Sequence, residues 1–266
     1  MNSQYQPFQP VLSEPGLQRF GLGLEQRRAT APLSRVVHSY LQISTDKPLS
    51  YAVIPDGTQA VFISPQGSFV GGVQSQATDI PISQGGEYFG VRFYPAALSY
   101  FFASNFSEIT DNYVDSDYFG CPSFTRLHER VYAKSDFLSR SKVCEQWLLS
   151  RFRPFERKSF DRALSLIYQA EGDISVAEIG TQVGVSGRHL NRLFRQYIGV
   201  STKAFSQIIR IQSASRTLFD SHHDSAKTAL RLGFFDQAHL LNQFKKQLLF
   251  NPSSFLKRYM SDSYNP

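Results

Sequence analysis

Two stretches near the C-terminus decide the fold: AEIGTQVGVSGRHLNRLFRQYIGVSTKAF (177–205) and AKTALRLGFFDQAHLLNQFKKQLLFNPSSF (226–255). They are two versions of one unit. Gly184 corresponds to Gly233, 49 residues on, and Leu190, Phe194, Arg195 and Phe205 correspond to Leu240, Phe244, Lys245 and Phe255, 50 residues on. Each version reads as a short helix, a glycine turn and a second helix. Gly184 and Gly233 stand where the first helix must end in a left-handed residue. Val185 and Phe234 follow as apolar plugs. Ser186 and Asp236 then offer side-chain oxygens to the free amides of the next helix.

The spacing turns Leu190, Leu193 and Phe194 inward in the first copy, and Leu240 and Phe244 in the second. Arg188, Asn191, Arg192 and Arg195 are left on the outer face of one helix. Gln237, His239, Asn242, Gln243, Lys245 and Lys246 lie outward or flanking on the other. Two helix-turn-helix units are therefore expected, at about 176–197 and 225–247, each with a second helix suited to the major groove of DNA. The outward residue types fit that task. Arginine pairs bidentately with guanine, asparagine and glutamine pair with adenine, and lysines further along suit phosphates.

The charge is distributed to match. Residues 1–150 hold 11 Lys and Arg against 13 Asp and Glu, a net −2, whereas residues 151–266 hold 17 against 9, a net +8. A basic module beside a nearly neutral one points to a polyanion met only by the C-terminal half; a solvated basic surface is the bland alternative. With 266 residues, 41% hydrophobic and 19% charged, the chain is long enough for two domains and too apolar for disorder.

Residues 1–120 have a different grain. YAVI (51–54), AVFIS (60–64), SFVGGV (68–73) and GVRFY (90–94) are short β-branched and aromatic runs separated by turn residues, which predicts antiparallel strands in a barrel or sandwich. AALSYFFASNF, after Pro95, reads as a short helix. From 127 to 148, Leu127, Val131, Leu138, Val143, Trp147 and Leu148 form a helical stripe, to be packed on the barrel or on a second subunit. A basic, proline-interrupted stretch at 151–158 reads as a linker. The expected division is a β-rich regulatory domain (1–150), this linker, and a helical DNA-binding domain (159–266).

The C-terminal residues IGTQVGVSGRHLNRLFRQYIGVSTKAF, IIRIQSASRTLF with Arg210 and Ala214, RLGFFDQAHLLNQFKK and NPSSFLKRY resemble the AraC/XylS family of bacterial transcription regulators. The resemblance implies seven helices, with a long linking helix at about 202–219 that holds both units toward one side of DNA. It implies base contacts from Arg188, Asn191 and Arg192 in the first unit, and from Ala238, His239 and Asn242, with Gln237 beside them, in the second. The second unit departs from the pattern: Asn242 replaces an arginine, Ser225 and Thr228 replace aliphatic positions, and Leu249 replaces a glycine. IPDGTQAVFIS (54–64), GGVQSQ (71–76) and EYFGVRFYPAALSYFFASNFSEITDNYVDSD (87–117) resemble the sensor domains of one poorly characterised AraC subgroup. The fold class is therefore expected to be α+β, with an N-terminal β-barrel-like, cupin-like domain and flanking helices, then an all-α seven-helix domain.

The expected function is that of a sequence-specific DNA-binding transcription regulator, an activator, controlled by its N-terminal domain through a small-molecule effector or dimerisation. The alternative is a regulator whose N-terminal domain binds a protein and no small molecule. Double-stranded promoter DNA and RNA polymerase are the expected partners, and a second copy of the chain is a candidate. Arg92 is a candidate for an anionic effector, or for a bridge between strands or to Glu87. No enzyme, cofactor, catalytic residue or metal site is expected: phosphate-loop, dinucleotide and nucleophile-elbow patterns are absent, and His222–His223 lacks a third ligand at helical spacing. Cys121 and Cys144 read as buried thiols. No run reaches the ~18 apolar residues of a membrane span, nor does the N-terminus resemble a signal peptide; the expected location is the cytoplasm, at the nucleoid.

Overall fold

The computed structural model describes residues 5–221 and 225–259. After helix α1 (Glu14–Phe20), the N-terminal half is built from strands β1 (Gly23–Arg27), β2 (Val37–Thr45), β3 (Leu49–Val53), β4 (Gln59–Ser64), β5 (Gly67–Gly71), β6 (Thr78–Ile82), β7 (Gly86–Phe93) and β8 (Tyr113–Asp115). Among the described residues, six strands form one antiparallel sheet in the order β1-β2-β7-β4-β5-β8, and β3 pairs with β6 in a separate ribbon. The ribbon lies over one face of the sheet, with Leu41 and Ile43 sharing a core with Tyr51, Ala52 and Ile82. The expected enclosure is thus formed by two layers rather than by one continuous ring of hydrogen bonds.

The opposite face of the sheet carries Tyr40, Val61, Ile63, Phe89, Val91 and Phe93. Helices α2 (Pro122–Thr125), α3 (Leu127–Tyr132) and α4 (Phe137–Arg151) cover it through Phe124, Leu127, Val131, Trp147 and Leu148. The stripe read from the sequence therefore packs on the sheet of its own chain. Leu138 is the exception, 51% exposed. The helix expected after Pro95 is instead two 3-10 turns, Ala97–Tyr100 and Phe106–Ile109. Ala96, held left-handed at φ 65°, precedes the first of them.

Seven further helices follow among the described residues: α5 (Lys158–Gln169), α6 (Val176–Val183), α7 (Gly187–Tyr197), α8 (Thr202–Ser221), α9 (Ser225–Arg231), α10 (Gln237–Leu248) and α11 (Pro252–Tyr259). They make no separate globule. The apolar core around α8, α10 and α11 is continuous with Val11, Leu41, Ile54 and Ile82 of the β layers. Around α5 and α7, Phe160, Phe194 and Phe205 share a core with Tyr5, Val73 and Ala96. The stretch before α5 is tied down as well. Arg157 Nη1 donates to Ala96 O and Ser99 Oγ, both at 2.9 Å, and its guanidinium lies 4.3 Å from the Tyr100 ring and 5.2 Å from that of Tyr197.

Candidate nucleic-acid interface

The two repeated units fold as their local chemistry dictates. Ser175 opens α6 with a capping box closed by Glu178, and α6 ends at Gly184, φ 72°. Ser186 then caps α7 by accepting from the His189 amide. In the second unit Gly233 stands at φ 67°, and Asp236 caps α10 by accepting from His239 N at 2.7 Å. A side chain at either glycine would have to adopt a left-handed backbone that L-residues disfavour by about 1–2 kcal/mol. Leu190, Phe194, Leu240 and Phe244 are fully buried, which fixes the rotation of α7 and α10 about their axes.

That rotation leaves Arg188, Arg192 and Arg195 of α7 exposed, with Ala238, Asn242, Lys245 and Lys246 of α10. Among the described residues none of these five cations forms an ion pair. They are charges held in solvent, three on the outer face of α7 and two near the end of α10, an arrangement a phosphate backbone rewards. Arg192 Nη2 lies 3.2 Å from His189 Nδ1, which steadies its fork beside the helix N-terminus.

The remaining positions expected to contact bases are engaged within the protein. Asn191 Oδ1 accepts from the Thr202 amide at 3.0 Å, capping α8. Gln237 Nε2 donates to Ser225 Oγ at 2.6 Å, so the polar replacement at Ser225 serves as a tether. His239 Nδ1 accepts from the Phe235 amide at 3.3 Å, which leaves Nε2–H as the ring's donor. Thr228 is buried, and Leu249 occupies the left-handed position that ends α10, φ 64°.

Helix α8 holds the two units together. Arg210 projects from it between them: Nε donates to Leu232 O at 2.8 Å, Nη2 pairs with Asp173 at 3.2 Å, and the guanidinium lies 4.2 Å over the Phe234 ring. Asp173 closes the turn ahead of α6, whereas Leu232 and Phe234 belong to the turn of the second unit. One side chain therefore fastens both. Lys203 and Gln207, one helical turn apart on α8, line a groove of about 290 Å³ with His239 and Gln243. Their i, i+4 spacing was legible in the sequence, but nothing there placed them between the two heads.

Arg92 sits at one end of a cavity of about 90 Å³ between the sheet and the ribbon, beside Leu41, Tyr51, Thr58 and Gln74. Its partner is Asp56, at 2.6 Å. Glu87 takes Arg140 instead. Asp56 also accepts from Gln9 Nε2 and from the amide and hydroxyl of Thr58. Cys121 and Cys144 are free and buried, and burial pushes the Cys144 thiol well above its usual range. Among the described residues no cluster of three metal-ligating side chains occurs, and no helix is long and apolar enough to cross a membrane. His222 and His223 lie outside the described residues.

Two capped helix-turn-helix units on one linking helix define the class of module. Residues 179–258 match a family model described as a helix-turn-helix domain, and residues 25–115 match one described as a domain of unknown function (DUF6597). The chain is 37% identical over 75 residues to the HTH-type transcriptional regulator GlxA of Rhizobium meliloti, covering 28% of this chain and 23% of that one. It is 30% identical over 86 residues to the arabinose operon regulatory protein of Escherichia coli, covering 32% and 30%. A solved structure of an AraC-type DNA-binding domain protein from Chromobacterium violaceum aligns at 25% identity and TM-score 0.36, covering 39% of this chain and 94% of that one. The chain spans between 23% and 41% of the length of the curated relatives it matches. Residues 179–258 of the C-terminal module are thus similar to a helix-turn-helix domain family, and the matched relatives are named as regulators of transcription rather than as enzymes.

Proposed function

We propose that the chain is a sequence-specific DNA-binding transcription regulator, an activator, whose helical module (159–266) is governed by the β-rich module (1–150) across the 151–158 stretch. The observation that carries this is the pair of capped helices, α7 and α10, joined by α8 and presenting cations that have no acidic partner among the described residues. Arg188 and Arg192 read bases in the first unit. Asn191, drawn into capping α8, contributes through the amide nitrogen it has left. In the second unit His239 donates through Nε2–H to a purine N7 or O6 acceptor, and Asn242 and Ala238 read beside it with Gln237 at the flank. Arg195, Lys245 and Lys246 neutralise phosphates. Two reading helices so held meet successive major-groove segments about 34 Å apart.

Control is exerted by a small molecule that enters the cavity beside Arg92 and alters how the β layers press on α8. Support comes from Gln212, whose side chain accepts from Phe8 N and donates to Pro55 O, so α8 is bonded to the chain neighbours of Gln9, Ile54 and Asp56, which line that cavity. A second reading, control by a protein partner or a second copy, is favoured by a different observation: Phe69 and Tyr113 stand exposed on the β5–β8 edge of the sheet. RNA polymerase is the proposed partner of the second unit, where Leu230 and Phe235 are left uncovered.

The test is selection of duplexes by the purified full chain, followed by Arg192→Ala. The substitution is expected to abolish preference for the selected sequence and to leave folding intact. Undiminished, sequence-selective affinity would reject this role for Arg192.

A further inference from the structure

The outer face of α7 does not look onto open solvent alone. It forms one wall of a cleft of about 1400 Å³, whose other wall is the N-terminal segment running through Ala103, Ser104, Asn105 and Ser107. Three cations, Arg188, Arg192 and Arg195, converge on this space, and among the described residues no carboxylate lines it. The nearest acidic side chain in sequence, Glu108, is occupied by the Tyr118 hydroxyl at 2.6 Å. A lid that kept α7 from its ligand would be expected to answer its arginines with acids. This wall answers them with uncharged hydroxyl and amide groups, which suit a ligand already carrying the negative charge.

The base of the cleft is stiff. Thr110 Oγ1 donates to Gly199 O at 2.9 Å, and Gln59 Nε2 donates to Ile198 O at 3.5 Å. Gly199 stands at φ 116°, with Thr110 and Phe106 so close that a Cβ there would collide with both. On the same side Arg157 joins Ala96 and Ser99 to the ring of Tyr197. Separating the walls would break these bonds and open the apolar core that Val73 and Ala96 share with Phe160, Phe194 and Phe205.

We infer that the Ala103–Ser107 segment is a second wall of the DNA interface, lying along the phosphodiester backbone that flanks the groove entered by α7. The inference rests on the reading of α7 as a DNA-reading helix and adds the N-terminal module to the surface that touches the duplex. The ligand class is a polyanionic sugar–phosphate strand, met by arginines from one side and by neutral donors from the other.

The experiment measures affinity of the full chain for a selected duplex across a salt series. Ala103→Lys and Ala103→Glu alter an exposed position with no packing role, and Ser104→Lys provides a second placement of the charge; circular dichroism checks that each folds. With the wall beside the backbone, either lysine steepens the slope of log K against log[salt] by about 0.9, one further phosphate neutralised. It also raises affinity several-fold at moderate salt, and Ala103→Glu lowers it. A slope and affinity indifferent to all three substitutions would mean that the segment leaves the duplex on binding, and would overturn the wall alone. A lysine that raised affinity without steepening the slope would make the segment a lid repelled from the α7 arginines, and would also overturn it. A wild-type chain that selects no duplex overturns the DNA reading and the wall with it.

Discussion

Replacing Arg210 by methionine separates the fastening of the two reading units from their chemistry. The methionine retains the apolar stem, so what is lost is the guanidinium: its bond to Leu232 O at 2.8 Å, its pair with Asp173 at 3.2 Å and its place over the Phe234 ring. The first is a charge-assisted bond to a turn carbonyl left unpartnered, worth about 1.5–3 kcal/mol. Asp173 is half exposed, which holds the ion pair to about 0.5 kcal/mol, and the ring contact adds about 0.5–1 kcal/mol. These contributions overlap, so Arg210→Met should cost about 2–4 kcal/mol. With a urea dependence of about 3 kcal/mol per M, the helical transition followed by far-UV circular dichroism falls by ~1 M. Footprints should keep the segment read by α7 and lose the one read by α10, because the second unit is no longer held in register. A wild-type midpoint together with unchanged protection of both segments would refute the view of Arg210 as the fastening.

Three further outcomes follow from particular residues. Leu249 ends α10 in a left-handed conformation; removing its side chain to alanine keeps the strained Cβ, and removing it to glycine does not. Leu249→Gly should therefore be more stable than Leu249→Ala by about 0.5–1 kcal/mol, and equal midpoints in urea would contradict this. His38 is buried, and burial first, then Arg92 and Arg28, hold it down from 6.5 to about 3. It stays neutral in the folded chain while the unfolded chain takes up a proton below 6.5. Its contribution to stability is thus complete above that value and is lost as pH falls toward 3, at up to about 1.4 kcal/mol per pH unit. Fluorescence of Trp147, the single tryptophan, reports that half of the chain: His38→Asn should flatten the dependence of its urea midpoint between pH 6 and 4, and an unaltered slope would exclude His38 as its source. Gly199→Ala should weaken the whole fold, since its Cβ would meet Thr110 and Phe106; an unchanged thermal midpoint would show that the cleft base is slack.

The helical module was legible because its signals are local. Gly184 and Gly233 mark left-handed ends, Ser186 and Asp236 cap within three residues, and Leu190, Phe194, Leu240 and Phe244 repeat at helical spacing. The β layers were legible only where turn residues bracket a run. β2, VHSYLQIST, escaped because it is buried on both faces: Tyr40 belongs to the core beneath α4, and Leu41 and Ile43 to the core beneath the ribbon. A strand covered on both sides has no alternation to read. The stretch after Pro95 carries helix-forming residues, yet tertiary packing of Leu98, Phe101 and Phe106 resolves it into 3-10 turns. At the candidate site, residue type suggested a chemistry but gave no sign of the side chains' commitments within the fold. Asn191 is drawn to Thr202, eleven residues on, and Arg92 to Asp56 rather than to Glu87, choices made by contacts across the fold. The wall at Ala103–Ser107 was hidden for the same reason.

Cleavage protection of a selected duplex by hydroxyl radicals, read on both strands, bears most directly on the pairing of α7 and α10. The expected pattern is two protected stretches on one face of the duplex, their centres about 10–10.5 base pairs apart, with Arg192→Ala releasing one of them. A single protected stretch, or protection spread without regard to sequence, would contradict it.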